Sequence, residues 1–281
     1  MEGSEEARAP DWLGACQRMT AGMREMFALH PTTAQRAVET GRGEGGDEAL
    51  VIDRAAEDVV FAELDTLHRA GHRFAAISEE RGTVDYGAAQ PLVVIDPIDG
   101  SLNAKRGMTH FSLSVAVADG PTMADVFFGY VYDFGAREEW TARRGDGAEL
   151  DGRPLDAERA ERRTRDGVLE MLAIESADPR YVLDCAPRLL GLADRLRAIG
   201  SIAISLCQLA AGRVDGMLTL WRCRSVDAAA AQLIVREAGG FVAFTAFDDP
   251  LAAPLDLAPH SPVVAARSAA ALAELARVPS S

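Results

Sequence analysis

The chain is poor in cysteine: Cys16, Cys185, Cys207 and Cys223 are its only four, and none forms a CxxC pair. Such spacing offers neither a zinc ligand set nor the dense disulfide framework of small secreted scaffolds, and it suits a reducing cytoplasm. Long apolar runs are also missing. No stretch approaches the roughly 18 residues of a membrane span, and residues 1–10 are acidic and polar, without the apolar centre of a signal peptide. Basic charge is in deficit, with 29 Lys and Arg against 43 Asp and Glu and a net charge of −14. A field of that sign repels a polyanionic backbone and argues against general nucleic-acid binding. Anionic small molecules stay open, because divalent cations gathered by carboxylates reverse the local field.

What is present is an ordinary globular composition, 48% apolar and 26% charged over 281 residues, enough for one large domain or two packed subdomains. Trp12, Cys16, Met19, Met23 and Met26 recur at helical spacing, with Asp11 placed to cap the start. Glycines at 41, 43, 45 and 46 interrupt any period, so 30–47 reads as a mobile loop. A second helix carries Ile52, Ala56, Val59, Val60 and Leu67 and closes at Gly71. Apolar runs at 74–77 and 92–95 read as strands, each ending in carboxylates, and alternation from Phe111 through 126–132 and 139–142 extends them into an antiparallel or mixed sheet. Turn residues at 144–154 mark a boundary between an N-terminal α+β subdomain, 1–150, and a C-terminal α/β subdomain, 151–281, with 156–166 as a charged connector. The second half alternates: strand 168–174, helix 181–196, strand 197–199, helix 202–211, strand 214–220 and helix 226–238. Strands 241–244 and 263–266 and a helix from Ala269 complete an α/β layer.

The segment Asp96-Pro97-Ile98-Asp99-Gly100-Ser101 sets two carboxylates three residues apart directly after an apolar strand. Alone it reads equally as a surface turn, since Asp, Pro and Gly are turn residues. Glu79 and Glu80 end the preceding strand, however, and Asp227 opens a later helix. Several oxygen donors without a matching His or Cys set suit a hard cation such as Mg²⁺, and phosphate chemistry is the natural work of such a cluster. His110 lacks a partner pattern for a general base, and Cys207 and Cys223 lack a nearby His for a nucleophilic thiol.

These residues carry a resemblance. Ser78-Glu79-Glu80, DPIDGS with Asn103, the run from Gly129 to Asp133, Ala198-Ile199-Gly200-Ser201 with LAAGRVDG, and Val226-Asp227-Ala228 with Arg236-Glu237-Ala238-Gly239-Gly240 follow in the order of the inositol monophosphatase superfamily. The chain resembles it over about 47–240. The resemblance implies a layered αβαβα sandwich of the sugar phosphatase type, Mg²⁺-dependent hydrolysis of a small phosphorylated metabolite, lithium sensitivity and a homodimer. It implies that Glu79, Asp96 and the carbonyl of Ile98 bind a first ion and that Asp96, Asp99 and Asp227 bind a second. A third ion would share Glu79. The nucleophile would be a metal-activated water polarised by Glu79 and oriented through Ser101 and Asp53, while Asp99, Gly100, Ser101, Gly200 and Ser201 face the substrate.

The chain also departs from the pattern. Ser101 stands for the usual Thr, Ala104 for an aromatic, Val226 for Trp and Ala231 for Gly, and the Thr upstream of Asp53 is missing, with Leu50 nearby. Leu220 replaces the glutamate that inositol-selective members place seven positions before the metal aspartate. Arg222 and Arg224 instead resemble the basic loop of the branch acting on both fructose 1,6-bisphosphate and inositol phosphate; paired guanidinium donors suit a second phosphate. A nucleotide 3′-phosphate or NADP(H) is the next substrate class. A catalytically weak relative that binds a phosphometabolite or serves regulation is the alternative of another kind.

Overall fold

The computed structural model describes residues 9–42 and 48–279. Asp11 accepts the Gly14 N–H and starts α1 (Trp12–Leu29), whose Trp12, Cys16, Met19, Met23 and Met26 are buried on one face. A short α2 (Thr33–Arg36) and the hairpin of β1 (Glu39–Arg42) and β2 (Glu48–Leu50) follow, so 30–42 is not the irregular loop its glycines suggest. The missed signal is the capping box of Thr32 and Gln35, reciprocal side-chain to backbone bonds that nucleate a turn. Gly43, Gly45, Gly46 and Asp47 lie outside the described residues.

Helix α3 (Val51–Arg69) and α1 cover one face of an eight-stranded sheet. Its strands are β3 (Ala75–Ser78), β4 (Gly82–Asp85), β5 (Leu92–Asp99), β6 (Ser112–Ala118), β7 (Val126–Asp133), β8 (Glu138–Arg143), β9 (Gly147–Leu150) and β10 (Arg153–Pro154), with α4 (Ser101–Arg106) between β5 and β6. The order is β10-β9-β8-β7-β6-β5-β3-β4, antiparallel except where β3 runs parallel to β5. Along β6, Leu113, Val115 and Val117 face α1 and α3, while Ala116 and Ala118 face the opposite core, the period-two division expected of a sheet covered on both sides.

The second sheet contains β11 (Leu169–Glu175), β12 (Ala193–Arg197), β13 (Gly216–Thr219), β14 (Phe241–Phe244) and β15 (Val263–Ala266) in the order β12-β11-β13-β15-β14. Helices α5 (Pro179–Leu189) and α8 (Ala269–Leu275) pack on its outer face. Between the two sheets lie α6 (Ile202–Ala210) and α7 (Ser225–Glu237). α7 is buried from Ser225 to Val235, and its run Ala228–Ala231 keeps it thin enough for a middle layer. A side chain at Gly129 of β7 would meet the Ala230 carbonyl at 2.6 Å. The result is the αβαβα sandwich the resemblance implied.

Two local expectations differ. The helix expected over 181–196 stops at Leu189, and 193–197 forms β12, because Gly191 adopts φ 77° and turns the chain. The strand expected at 197–199 is therefore the end of β12 followed by a loop. No helix among the described residues is long and apolar enough to cross a membrane.

Candidate active site

The ends of β3, β5 and β11 meet the starts of α4, α6 and α7 around a cleft of about 510 Å³. Asp53, Glu79, Glu80, Asp96, Ile98, Asp99, Gly100, Ser101, Gly200, Ser201, Arg224 and Asp227 all line it. Arg222 does not: it is exposed, with its guanidinium 5.7 Å from the centroid of the Trp221 ring. Leu220 is fully buried in the outer core with Cys185 and Leu189, away from the cleft lining.

Apolar packing of β5 between two helical layers delivers its acidic end to the cleft. Asp96 pairs with Ser114 of β6 and Asp99 with Ser112, and the register shifts between them. Three steps along β5 thus oppose two along β6, a one-residue bulge that re-aims side chains at a sheet rim. The Asp96 carboxylate accepts the Ile98 N–H at 2.9 Å, which fixes the turn.

Asp99 crosses to the second half of the chain. It accepts from Ser201 Oγ at 2.5 Å and from the Ala203 N–H at 2.7 Å, at the positive end of α6. Beside it, Glu175 at the end of β11 accepts from the Ile199 and Gly200 N–H groups, both at 2.9 Å, and from Ser205 Oγ at 2.6 Å. Asn103 donates to the carbonyls of His110 and Ile199, each at 2.9 Å. These bonds press two glycines together. Gly100 has φ 90°, and a Cβ there would meet the His110 carbonyl at 2.9 Å and the Gly200 carbonyl at 3.0 Å. Gly200 has φ 86° and abuts Asn103.

On the opposite wall, Asp53 sits in the first turn of α3, and Glu57 one turn later is 1% exposed. Glu57 accepts from Ser78 Oγ and from the Glu80 N–H at 3.1 Å, and it pairs with Arg81 at 3.2 Å, so it holds the end of β3 from which Glu79 and Glu80 project. Arg224 closes the ring: Nη1 donates to Glu79 at 2.5 Å, Nη2 to Asp227 Oδ1 at 3.3 Å, and its backbone N–H to Asp227 Oδ2 at 3.1 Å.

Burial, reinforced by crowding of like charge, raises the pKa values of these carboxyls. Burial, then Glu79, Asp99 and Asp227, push Asp96 well above the ordinary carboxylate range, with Arg224 opposing them. Burial and Asp227 raise Asp99 to about 7. Burial, Asp53, Glu79 and Glu57 raise Glu80 to about 7. Seven carboxylates line the cleft, against a single guanidinium among the described lining residues. Buried carboxylates that repel one another favour either protons or cations. The donor set is all oxygen, with no His or Cys in the lining, and fits a hard divalent ion rather than zinc.

Glu57 and Glu175 are the residues sequence reasoning passed over. Glu175 obeys the rule that singled out Asp96, a carboxylate ending an apolar strand; Glu57 was legible as the i+4 partner of Asp53 on one helical face. The cysteines are all buried and none is in a disulfide, and burial raises Cys16, Cys207 and Cys223 well above the ordinary thiol value, as expected of packing groups.

Comparison with known proteins agrees with this architecture. The chain is 35% identical over 210 residues to the Nus factor SuhB of Escherichia coli, covering 73% of this chain and 75% of that protein. It is 32% identical over 217 residues to a fructose-1,6-bisphosphatase/inositol-1-monophosphatase of Thermococcus kodakarensis, covering 75% of each. In fold it matches a solved inositol monophosphatase–fructose 1,6-bisphosphatase with a TM-score of 0.80 at 23% identity, over 96% of this chain and 100% of that one. The SuhB protein of Bartonella henselae matches at 0.76 and 24% identity, over 95% and 97%. The model of the inositol monophosphatase family spans residues 14–279, so the chain whose acidic strand ends meet around this cleft belongs to that family.

Proposed function

We propose that the protein is a Mg²⁺-dependent phosphatase of small phosphate monoesters, with inositol 1-phosphate and fructose 1,6-bisphosphate as its leading substrates. The observation that carries this reading is the convergence of Glu79, Asp96, Asp99 and Asp227, from both halves of the chain, on one cleft. These residues and the Ile98 carbonyl would hold two ions, with a third sharing Glu79. When bound, the ions offset phosphate charge and lower the pKa of a water molecule.

The chain's own groups supply the rest. Asp53 and the Ser101 hydroxyl orient the attacking water. The first N–H groups of α4, at Gly100 and Ser101, have no intrahelical acceptors and would offer their partial charge to a phosphate. Gly200 and Ser201 bound the substrate side, and Asp99 fixes them through the Ser201 hydroxyl. Of the two arginines of the basic loop, Arg224 is held by Glu79 and Asp227, so a second anionic group would meet the exposed Arg222 at the rim; nucleotide 3′-phosphates or NADP(H) are the next class such a site admits. A cytoplasmic homodimer fits four cysteines without a disulfide and the exposed Leu102 and Met108 beside the cleft.

A second reading draws on the relatives named Nus factor SuhB: a regulatory role in which a phosphometabolite or protein is bound without turnover. A panel of phosphate esters, assayed for phosphate release and for binding, separates the two. Mg²⁺-dependent release from at least one sugar or cyclitol phosphate is expected; saturable binding with no release from any ester would favour the regulatory role.

A further inference from the structure

Seven buried or half-buried carboxylates line one cleft, and among the described lining residues one cation, Arg224, faces them. Arg224 stands just ahead of α7 and reaches across to the turn after β3, where it meets Glu79, 145 residues away in the chain. Both carboxylate oxygens of Asp227 accept from the same residue, one from its guanidinium and one from its backbone N–H. Its side chain is only 20% exposed. Burial by itself would lower the pKa of this guanidinium, but Asp227, Glu79 and Asp96 raise it above the ordinary value, so its charge is permanent. Among the described residues, no three His, Cys, Asp or Glu side chains are grouped closely enough to hold an ion in this arrangement. The arginine occupies the approach between two carboxylates that the proposed ions need.

We propose that Arg224 is a built-in counter-cation of the acidic cleft: its guanidinium holds Glu79 and Asp227 in the metal-free protein and withdraws when divalent ions take those carboxylates. The inference rests on the metal-binding role proposed above. A buried charge stripped of its partner costs several kcal/mol, so an uncompensated cluster would open the metal-free fold at the seam between the two sheets. A permanent cation prevents this, yet it competes with every incoming ion. Metal affinity is therefore set below what the carboxylates alone would give, and the fold persists at low ion concentration.

Equilibrium Mn²⁺ binding, read by electron paramagnetic resonance without substrate, tests the idea on wild type, Arg224→Gln and Arg224→Lys. Arg224→Gln should bind Mn²⁺ at least tenfold more tightly. Its unfolding midpoint should fall below wild type in EDTA and recover in saturating Mg²⁺, since ligand binding to the native state restores stability. Lysine, a point charge that cannot bridge both carboxylates at once, should lie between. If Arg224→Gln fails to fold without metal, NMR of the arginine side chains of wild type gives the same answer: hindered guanidinium rotation at Arg224 in EDTA, released by Mg²⁺. Unchanged or weaker Mn²⁺ binding by Arg224→Gln, or Arg224 signals indifferent to Mg²⁺, would overturn the counter-cation role while leaving the phosphatase reading intact. A wild type that binds no Mn²⁺ would overturn both.

Discussion

Gly100 separates the proposed metal ligand Asp99 from Ser101, and its replacement by alanine isolates what close backbone packing contributes to the site. A suitable control exists in the same molecule. Gly71 has φ 101°, close to the 90° of Gly100, but an added Cβ at Gly71 meets nothing within 4 Å. Gly71→Ala therefore incurs only the left-handed strain of an L-residue, about 1–2 kcal/mol. Gly100→Ala incurs the same strain plus contacts at 2.9 Å with the His110 carbonyl, 3.0 Å with the Gly200 carbonyl and 3.3 Å with Phe111 Cα. These are backbone atoms that cannot rotate away, and relieving such overpacking costs a further ~1–3 kcal/mol. The sum is roughly 2–5 kcal/mol, against 1–2 for the control. Movement of even 1 Å between Asp99 and Ser101 should also lower turnover by about 100-fold, while the control keeps wild-type turnover. Urea unfolding and phosphate release measured on both variants give the answer. Equal destabilisation at the two glycines, or full activity in Gly100→Ala, would refute the claim that the cleft is held by this backbone contact.

Three further outcomes are expected. Replacing the exposed Arg222 by alanine, with Arg224 left on its carboxylates, should penalise fructose 1,6-bisphosphate over inositol 1-phosphate by about 1.5 kcal/mol in kcat/KM, the lower end of the range for hydrogen bonds to charged groups; an equal loss on both esters would leave only general attraction. In EDTA, Asp99 and Glu80 hold protons up to about pH 7 in the folded state, whereas unfolded carboxylates release them near pH ~4. Their contribution to stability is thus greatest below pH ~4 and is lost as pH rises toward about 7, so the urea midpoint of the metal-free protein should fall across that window and Mg²⁺ should flatten the slope; a midpoint that rises in EDTA would contradict the crowding of the cluster. Leu220→Glu should not confer inositol selectivity, because the side chain enters the apolar outer core, and an unpaired carboxylate there should destabilise the fold by ~3 kcal/mol or more; a lower KM for inositol 1-phosphate at unchanged stability would show that position 220 faces substrate.

Much of this architecture is written in local pattern. The Met stripe of α1, the alternation of β6 and the apolar runs ending in Glu79 and Asp96 state their burial through period and composition alone. Strands β4, β9 and β10 do not, because they are short, polar and near the sheet edge, where backbone pairing rather than side-chain burial defines them. The end of α5 was masked by leucines that continue a helical period past Gly191, whose left-handed turn overrides it. At the cleft, the carboxylates carried by motifs were legible one by one. Their partners were not: Glu57 and Glu175 act through backbone N–H groups brought near only by tertiary packing. The placement of Arg224 on Glu79 and Asp227, rather than beside Arg222 at a substrate face, depends on two layers meeting, which no spacing along the chain records.

The proposed work of Asp96 and its neighbours is to gather divalent ions that hydrolyse a phosphate monoester, and phosphate release from inositol 1-phosphate and fructose 1,6-bisphosphate in Mg²⁺, in EDTA, and in Mg²⁺ with Asp96→Asn decides it. Turnover should require Mg²⁺, vanish in chelator and return when the ion is restored. Asp96→Asn should fall by about 10²–10³-fold, of the order expected when a principal electrostatic group is removed, while its circular dichroism matches wild type. Turnover undiminished by EDTA, or an active Asp96→Asn protein, would contradict the account.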